Sequence, residues 1–277
     1  MIPLMIEVNT LHEMLAQAEL IKNSHYIIVD LGKYERFIAE HIPGAVHIAP
    51  ADTQNTNPPL GLIPDNNALS RMLNGIGLSP DKHLIIYDDE GGGWAGRFIW
   101  ILDEVGHQNY SYVNGGLSAW KGMGYATDTG DNNPPALADN LKLDYQPSGL
   151  HSITIDELSN NLGNNNLAIW DARSPKEYSG EKINAKRGGH IPGAVNFEWT
   201  DAMDTKNDLR LRTLDSLRAK LKAIGITADK DIVTHCQTHH RSGLTYLIAK
   251  LLDFPSIKAY AGSWGEWGNN EQTPIEH

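Results

Sequence analysis

The sequence has 277 residues, of which 40% are hydrophobic and 21% are charged, and its formal net charge is −11 at pH 7. This length exceeds one average domain, so we expect two domains with packed cores. The acidic charge leaves no broad cationic surface, and we expect neither a nucleic-acid nor a membrane partner. With one cysteine, an internal disulfide and a Cys-x-x-Cys pair are excluded. Since no signal peptide or membrane span is recognisable, we expect a cytoplasmic protein.

The first half of the chain alternates short apolar runs with helical patterns. The runs 26–30 and 84–88 predict buried strands, whereas apolar residues at helical spacing cover 10–20 and 98–105. Such alternation is typical of an α/β fold in which a parallel sheet carries helices on both faces.

A six-residue segment, His-Ile-Pro-Gly-Ala-Val, occurs at 41–46 and again, letter for letter, at 190–195. Each copy follows an apolar run that ends in an aspartate, Asp30 in the first half and Asp171 in the second. The second half also continues the alternation, with helical patterns at 155–162 and 214–223. The sequence therefore predicts two tandem copies of one domain.

The predicted boundaries follow from this duplication. Residues 127–149 are rich in Pro, Asn and Gly and predict a linker between a first domain, 1–126, and a second domain, 150–277. Asp88 in the first domain aligns with Cys236 in the second. An aspartate cannot accept a sulfur atom, so we expect the first domain to be catalytically silent.

The single cysteine, Cys236, follows the strand-like run 231–234 and precedes a helical pattern that continues to Leu252. We expect Ser242 to cap the start of that helix. A cysteine between a strand end and a helix N-terminus meets backbone N–H groups and the positive end of the helix dipole. This setting favours the thiolate and attracts an oxyanion, at the edge of the sheet where ligands bind in doubly wound folds.

These features together identify the chain as similar to the two-domain rhodaneses, a family of thiosulfate:cyanide sulfurtransferases. The resemblance rests on the paired strand-end aspartates, the repeated segments 41–46 and 190–195, the Trp-containing domain ends, and a lone cysteine in the second half. The loop 236–241, Cys-Gln-Thr-His-His-Arg, resembles that of bacterial members of the Azotobacter type. The resemblance implies two rhodanese-like domains and an enzyme that needs no cofactor and no metal.

The resemblance also implies roles for individual residues. Cys236 is the expected nucleophile, which carries the transferred sulfur as a persulfide. Trp199 and Trp264 are expected to wall the pocket. The expected binding residues for the anionic donor, thiosulfate, are Gln237, Thr238, His239, His240, Arg241 and Ser242.

Two positions depart from the animal thiosulfate enzymes of this family. Thr238 stands where those enzymes have Lys, and Glu177 stands where they have a second substrate-binding Arg. With a single cysteine in the chain, the thiophilic acceptor, cyanide or a thiol, must come from outside, and ping-pong kinetics are expected. The internal duplication already supplies a domain interface, so we expect a monomer.

The insertion before the second His-Ile-Pro-Gly segment adds three cations, Lys182, Lys186 and Arg187. They could supply positive potential near the site or form a solvated surface loop. The segment 91–96 matches the G-x-G-x-x-G nucleotide fingerprint, but the acids 88–90 in front of it argue against a bound pyrophosphate.

Two other functions remain open. The run from His235 to Gly243 resembles the signature of cysteine-dependent phosphatases, with one residue fewer between Cys236 and Arg241. The shorter loop leaves less room for a phosphate above the sulfur, and the sequence reveals no acid to protonate a leaving group. The second alternative is a module that stores or carries sulfur without useful turnover.

Overall fold

The computed structural model describes residues 2–17, 25–132 and 142–277. The end of the helix predicted over 10–20 and the middle of the predicted linker therefore lie outside the described residues. Within the described residues, no helix is both long enough and apolar enough to cross a bilayer.

The first domain is built on a five-stranded parallel sheet with the strand order β1-β5-β4-β2-β3. The strands are β1 (Met5–Ile6), β2 (Tyr26–Asp30), β3 (Val46–His47), β4 (His83–Tyr87) and β5 (Tyr110–Val113). The helices are α1 (Val8–Ala16), α2 (Tyr34–Ala39), α3 (Asn66–Gly75), α4 (Gly93–Glu104) and α5 (Gly116–Gly122).

The central strand β4 shows why helices cover both faces of this sheet. Leu84 and Ile86 point into one core with α3 and α4, whereas Ile85 and Tyr87 point into the other core with α1 and α5. Successive side chains of a strand face opposite sides, so an uninterrupted apolar strand requires two cores.

The second domain repeats this plan with a four-stranded parallel sheet in the order β11-β10-β6-β7. A parallel bridge from Ser152 to Ala259 takes the place that β1 has in the first sheet. The strands are β6 (Leu167–Asp171), β7 (Ala194–Asn196), β10 (Asp231–His235) and β11 (Ile257–Ala259), with a small hairpin of β8 (Met203–Asp204) and β9 (Arg210–Leu211). The helices are α6 (Ile155–Asn161), α7 (Pro175–Tyr178), α8 (Leu214–Ala223), α9 (Arg241–Leu251) and α10 (Ser263–Trp267). The predicted α/β fold of two tandem domains is confirmed.

The two domains meet where the N-terminal turns of α4 and α9 cross. A Cβ atom added to Gly96 would lie 2.2 Å from the carbonyl oxygen of Gly243, and one added to Gly243 would lie 2.4 Å from the backbone nitrogen of Arg97. Only glycine fits at this crossing, because real Cβ atoms do not approach backbone so closely. Gly96 thus serves helix packing, and α4 begins at Gly93, five residues before the predicted start.

Candidate active site

Cys236 comes directly after the central strand β10, at the carboxyl end of the sheet, and opens the loop that leads into α9. The side chain is 1% exposed. Its backbone is held by the last helix of the domain: the Cys236 N–H donates to Ser263 Oγ (3.3 Å), and the Trp264 N–H donates to the Cys236 carbonyl oxygen (2.9 Å). The cysteine therefore lies between a strand and a helix, as the sequence predicts.

The surroundings of the Cys236 sulfur are polar although they are buried. Burial raises the pKa of the thiol, but the Arg241 charge, the hydroxyl and amide of Ser242 and the amide of Thr238 lower it more, so the pKa lies below its ordinary value. Hydrogen bonds and cations that favour the charged form have this effect. The site is therefore arranged to hold a thiolate, which is the reactive form of cysteine.

Ser242 does not cap the helix, which corrects the expectation from the sequence. The helix α9 begins at Arg241, two residues earlier than a Ser242 cap would require, and its N-cap, His240, makes no side-chain capping bond. The Ser242 hydroxyl instead interacts with the sulfur of Cys236 and lies 2.7 Å from His239 Nδ1. The loop turns at His239, which adopts a left-handed backbone conformation (φ 56°).

His239 is buried and uncharged. Burial, together with the nearby Arg97 charge, holds its pKa well below the ordinary value. A neutral imidazole that carries its proton on Nδ1 donates to Ser242 Oγ and leaves the hydroxyl proton for the sulfur. In that tautomer, His239 orients the Ser242 hydroxyl toward Cys236.

Arg241 stands at the first position of α9 and is paired with a carboxylate. Its two terminal nitrogens donate to the two oxygens of Glu177, at 2.7 and 2.9 Å. Burial opposes ionisation of Glu177, but the bonds from Arg241 and Ser174 prevail and bring its pKa to about 2. Part of the Arg241 charge is consequently neutralised before any substrate binds.

Gln237, Thr238 and His240 are partly exposed along the loop. Gln237 Nε2 donates to the carbonyl oxygen of Asn184 (3.0 Å), which joins the loop to the insertion before the second His-Ile-Pro-Gly segment. His240 stacks on Trp94 of the first domain, with ring centroids 4.0 Å apart, and burial lowers its pKa to about 3. His240 is therefore neutral at physiological pH and works as a flat packing surface between the domains.

The two candidate wall tryptophans lie in different surroundings. Trp199 is half-buried, and its ring makes an edge contact with His240 at 5.4 Å. Trp264 is 1% exposed, its ring lies 4.4 Å from the Arg173 guanidinium, and its Nε1 donates to the Arg187 carbonyl oxygen. The ring of Trp264 thus belongs to the core below the loop, and that of Trp199 to the domain interface.

The first domain reaches the catalytic loop from its own side. A Cβ atom on Gly61 would lie 1.9 Å from the Ala261 carbonyl oxygen and 3.0 Å from the backbone of Thr238. Arg97 Nη1 lies 3.4 Å from the His239 carbonyl oxygen. A cavity of about 450 Å³ opens beside the loop and is lined by residues of both domains, among them Tyr34, Glu90, Trp94 and His240.

The three cations of the insertion lie in different surroundings. Arg187 is bound to the carbonyl oxygens of Trp267 and Thr273, so it holds the C-terminal segment in place. Lys186 is exposed and lies 3.8 Å from Glu271, and Lys182 is exposed. Within the described residues, no cluster of three or more His, Cys, Asp or Glu side chains could hold a metal ion.

Sequence reasoning missed two groups near the loop. Glu198 has a raised pKa, because burial and Asp201 outweigh the hydrogen bond from Thr200 and the attraction of Arg241. Arg97 was signalled only by its place in an apolar helix, between Gly96 and Phe98.

Comparison with known proteins agrees with this geometry. The rhodanese-like domain family matches residues 8–123 and 154–270. The chain is 50% identical over 276 residues to a thiosulfate sulfurtransferase of Azotobacter vinelandii and 47% identical to one of Pseudomonas aeruginosa, in each case covering 99% of this chain and 97% of the relative.

A solved structure of an anaerobic ergothioneine biosynthesis enzyme from Chlorobium limicola, in complex with trimethyl histidine, superposes with a TM-score of 0.86 at 20% identity. It covers 99% of this chain and 70% of that chain, and at this identity the likeness concerns the fold. The two matched domains and the close full-length relatives establish the family, and this chain belongs to the rhodaneses.

Proposed function

We propose that this protein is a sulfurtransferase that moves the outer sulfur of thiosulfate to cyanide or a thiol through a persulfide on Cys236. The observation that carries the proposal is the thiol of Cys236, whose pKa is lowered by Arg241, Ser242 and Thr238 at the start of α9. The full-length relatives named thiosulfate sulfurtransferase support thiosulfate as the donor.

In the first half-reaction, the Cys236 thiolate attacks the outer sulfur of thiosulfate. A sulfur–sulfur bond forms to Cys236, the bond inside thiosulfate breaks, and sulfite leaves with the electron pair. Loop amides, the Arg241 charge and the Ser242 hydroxyl stabilise the negative charge as it moves between sulfur and sulfite. An acceptor nucleophile then attacks the outer sulfur of the persulfide and releases the thiolate again, which completes a ping-pong cycle.

In this scheme Gln237, Thr238, His239, His240, Arg241 and Ser242 form the donor pocket. The partly exposed side chains of Gln237, Thr238 and His240 would form the entry to the buried sulfur, and Trp199 would flank that entry. The scheme uses no cofactor. The persulfide on Cys236 is a covalent intermediate, and each half-reaction balances in atoms and electrons.

The test is intact mass spectrometry of the protein before and after thiosulfate and again after cyanide. The protein should gain one sulfur atom, lose it to cyanide, and gain none as the Cys236→Ser variant. Hydrolysis of p-nitrophenyl phosphate without sulfur gain would favour the phosphatase alternative, for which Glu198 would be the candidate acid. Stoichiometric loading with negligible steady-state turnover would favour a sulfur carrier.

The division into 1–126, 127–149 and 150–277 and the monomeric state are part of the same proposal. Size-exclusion chromatography coupled to light scattering should give the mass of one chain. A dimer mass would contradict the monomer. The boundaries can be tested by expressing 150–277 alone, and we expect it to lose sulfur loading because the first domain contacts the loop through Gly61 and Arg97.

A further inference from the structure

Arg97 is a fully buried arginine in the silent domain. It lies on α4, is 0% exposed, and has Ala95, Phe98 and Trp100 as buried neighbours on the same helix. Arginine is almost never fully buried unless it is paired. We therefore expect buried groups that pair with its guanidinium.

The hydrogen-bond acceptors of Arg97 are uncharged. Its Nε and Nη2 donate to the carbonyl oxygen of Thr53 (3.1 and 2.5 Å), Nε also to Thr53 Oγ1 (3.1 Å), and Nη2 also to the Leu62 carbonyl oxygen (3.1 Å). Nη1 donates to the carbonyl oxygens of Gly61 (2.8 Å) and His239 (3.4 Å). Among the ion pairs of the described residues, none involves Arg97. Its hydrogen bonds are satisfied, but its charge is not balanced by a carboxylate.

An ionised Cys236 attracts this charge. Burial lowers the pKa of Arg97 to about 9, while attraction to the Cys236 thiolate raises it, and the guanidinium stays charged at neutral pH. The same guanidinium bridges the segment 53–62 of the first domain and the carbonyl oxygen of His239, the residue at which the loop turns.

The catalytic domain has no cation of its own at the matching place. Arg97 is the fifth residue of α4, and the fifth residue of α9 is Thr245, whose hydroxyl is bonded to the Ser242 carbonyl oxygen. Arg241, the cation that the loop does contain, is paired with Glu177. A positive charge that is not neutralised by a carboxylate therefore comes from the silent domain.

We propose that Arg97 is a positioning residue that crosses the domain interface, holds the loop through the His239 carbonyl oxygen, and stabilises negative charge at Cys236. Its effect on the thiolate does not depend on which reaction the cysteine performs. Its effect on departing sulfite rests on the proposed function. The silent domain is then a working half of the site, because it supplies charge as well as shape.

The experiment compares Arg97→Met, Arg97→Lys and the wild-type protein by the rate of iodoacetamide alkylation between pH 5 and 10. Cys236 is the only cysteine, so the rate reports on this thiol alone. The profile of Arg97→Met should move to higher pH by about one unit, since one nearby cation commonly has an effect of that size. Arg97→Lys keeps the charge and should stay within about 0.3 unit of wild type.

Arg187→Met is the matched control. Arg187 is likewise held by backbone carbonyl oxygens, those of Trp267, Asn270 and Thr273, but by the C-terminal segment and not by the loop. Its substitution removes a similar set of hydrogen bonds and should leave the alkylation profile unchanged. Thermal unfolding of every variant reports the loss of stability separately.

An unshifted profile in folded Arg97→Met overturns the proposal, and so does an equal shift in Arg97→Lys and Arg97→Met. If Arg97→Met does not fold, Arg97→Lys alone decides: a shift of a full unit despite the retained charge contradicts the electrostatic role. Sulfur loading of the wild-type protein is measured in parallel. A shifted profile in a protein that takes up no sulfur would reject the sulfurtransferase and leave the role of Arg97 intact.

Discussion

Each domain has a loop at the same place in the fold, and the two loops surround different side chains. In the first domain the loop after β4 wraps around its own aspartate: Asp88 accepts hydrogen bonds from the amides of Glu90, Gly92, Trp94 and Ala95, at 2.8 to 3.0 Å. In the second domain the loop after β10 wraps around the Cys236 sulfur, which meets the amides of Thr238 and Ser242.

This difference shows that the loop is an anion cradle in both domains. A strand end followed by a helix N-terminus gathers backbone N–H groups, and these bind whichever negative group the sequence places among them. A carboxylate is an inert occupant, whereas a thiolate is a nucleophile. On the proposed function, the first domain is expected to be silent because its cradle holds a group that cannot carry sulfur.

The largest effect is expected from making the two loops alike through Cys236→Asp. The new carboxylate can accept from the loop amides, so we expect a folded protein. Activity should fall by at least about 10⁴-fold, because the nucleophile is gone. Steady-state assay and intact mass measure the two consequences. Any sulfur that still loads would reveal a second nucleophile and contradict the assignment, with Cys236→Ser as the control for the loss of the thiol alone.

A substitution in the first domain, Asp88→Asn, tests the loop that surrounds this aspartate. A carboxamide replaces one carboxylate oxygen with an N–H₂ group. Because each oxygen of Asp88 accepts two of the four loop amide bonds, two of these bonds are lost inside the protein. Unfolding free energy should drop by about 2 kcal/mol, while the folded fraction keeps its activity within about twofold. Denaturant titration measures the first quantity.

Asp215→Asn supplies the comparison for that experiment. Asp215 is an exposed aspartate in the first turn of α8, and its substitution should change stability by less than about 0.5 kcal/mol. Equal effects of Asp88→Asn and Asp215→Asn would mean that the four amide bonds of the silent loop contribute little.

Much of this comparison could be predicted from the sequence, for a physical reason. Strand ends and helix starts follow from local apolar patterns, so the alignment of Asp88 with Cys236 could be made without coordinates. The helix α4 was predicted to start late because glycines disfavour helices, and only the crossing at Gly243 explains why Gly96 is needed. Contacts between distant segments, such as Arg97 with His239 or Arg241 with Glu177, leave no local pattern.

The pairing of Arg241 with Glu177 is therefore the next point to test, by Glu177→Gln. The carboxylate is ionised at neutral pH, since its pKa is about 2, and its removal frees the Arg241 charge for the donor anion. The KM for thiosulfate should fall about tenfold, within the range of one charge-assisted hydrogen bond. The alkylation profile of Cys236 should also move to lower pH.

The chain contains a matched control for Glu177. Glu157 occupies the same capping-box position in α6, where it bonds Thr154 as Glu177 bonds Ser174, but it lies on the surface. Glu157→Gln should leave KM unchanged. A higher KM in Glu177→Gln would show that the carboxylate holds Arg241 in place more than it neutralises it.

The smallest effect is expected from the exposed cations of the insertion, in Lys182→Glu and Lys186→Glu. Exposed charges are screened over about 8 Å at physiological ionic strength, so kcat/KM for thiosulfate should change less than about twofold there. Near 0.01 M salt, where screening extends to about 30 Å, each reversal should slow the reaction by a few-fold. Lys230→Glu is the control, because Lys230 precedes β10 and lies at the opposite end of that strand from Cys236. A salt-dependent loss for Lys182→Glu but not for Lys230→Glu would assign the insertion a steering role, whereas equal responses would exclude a steering role for these cations.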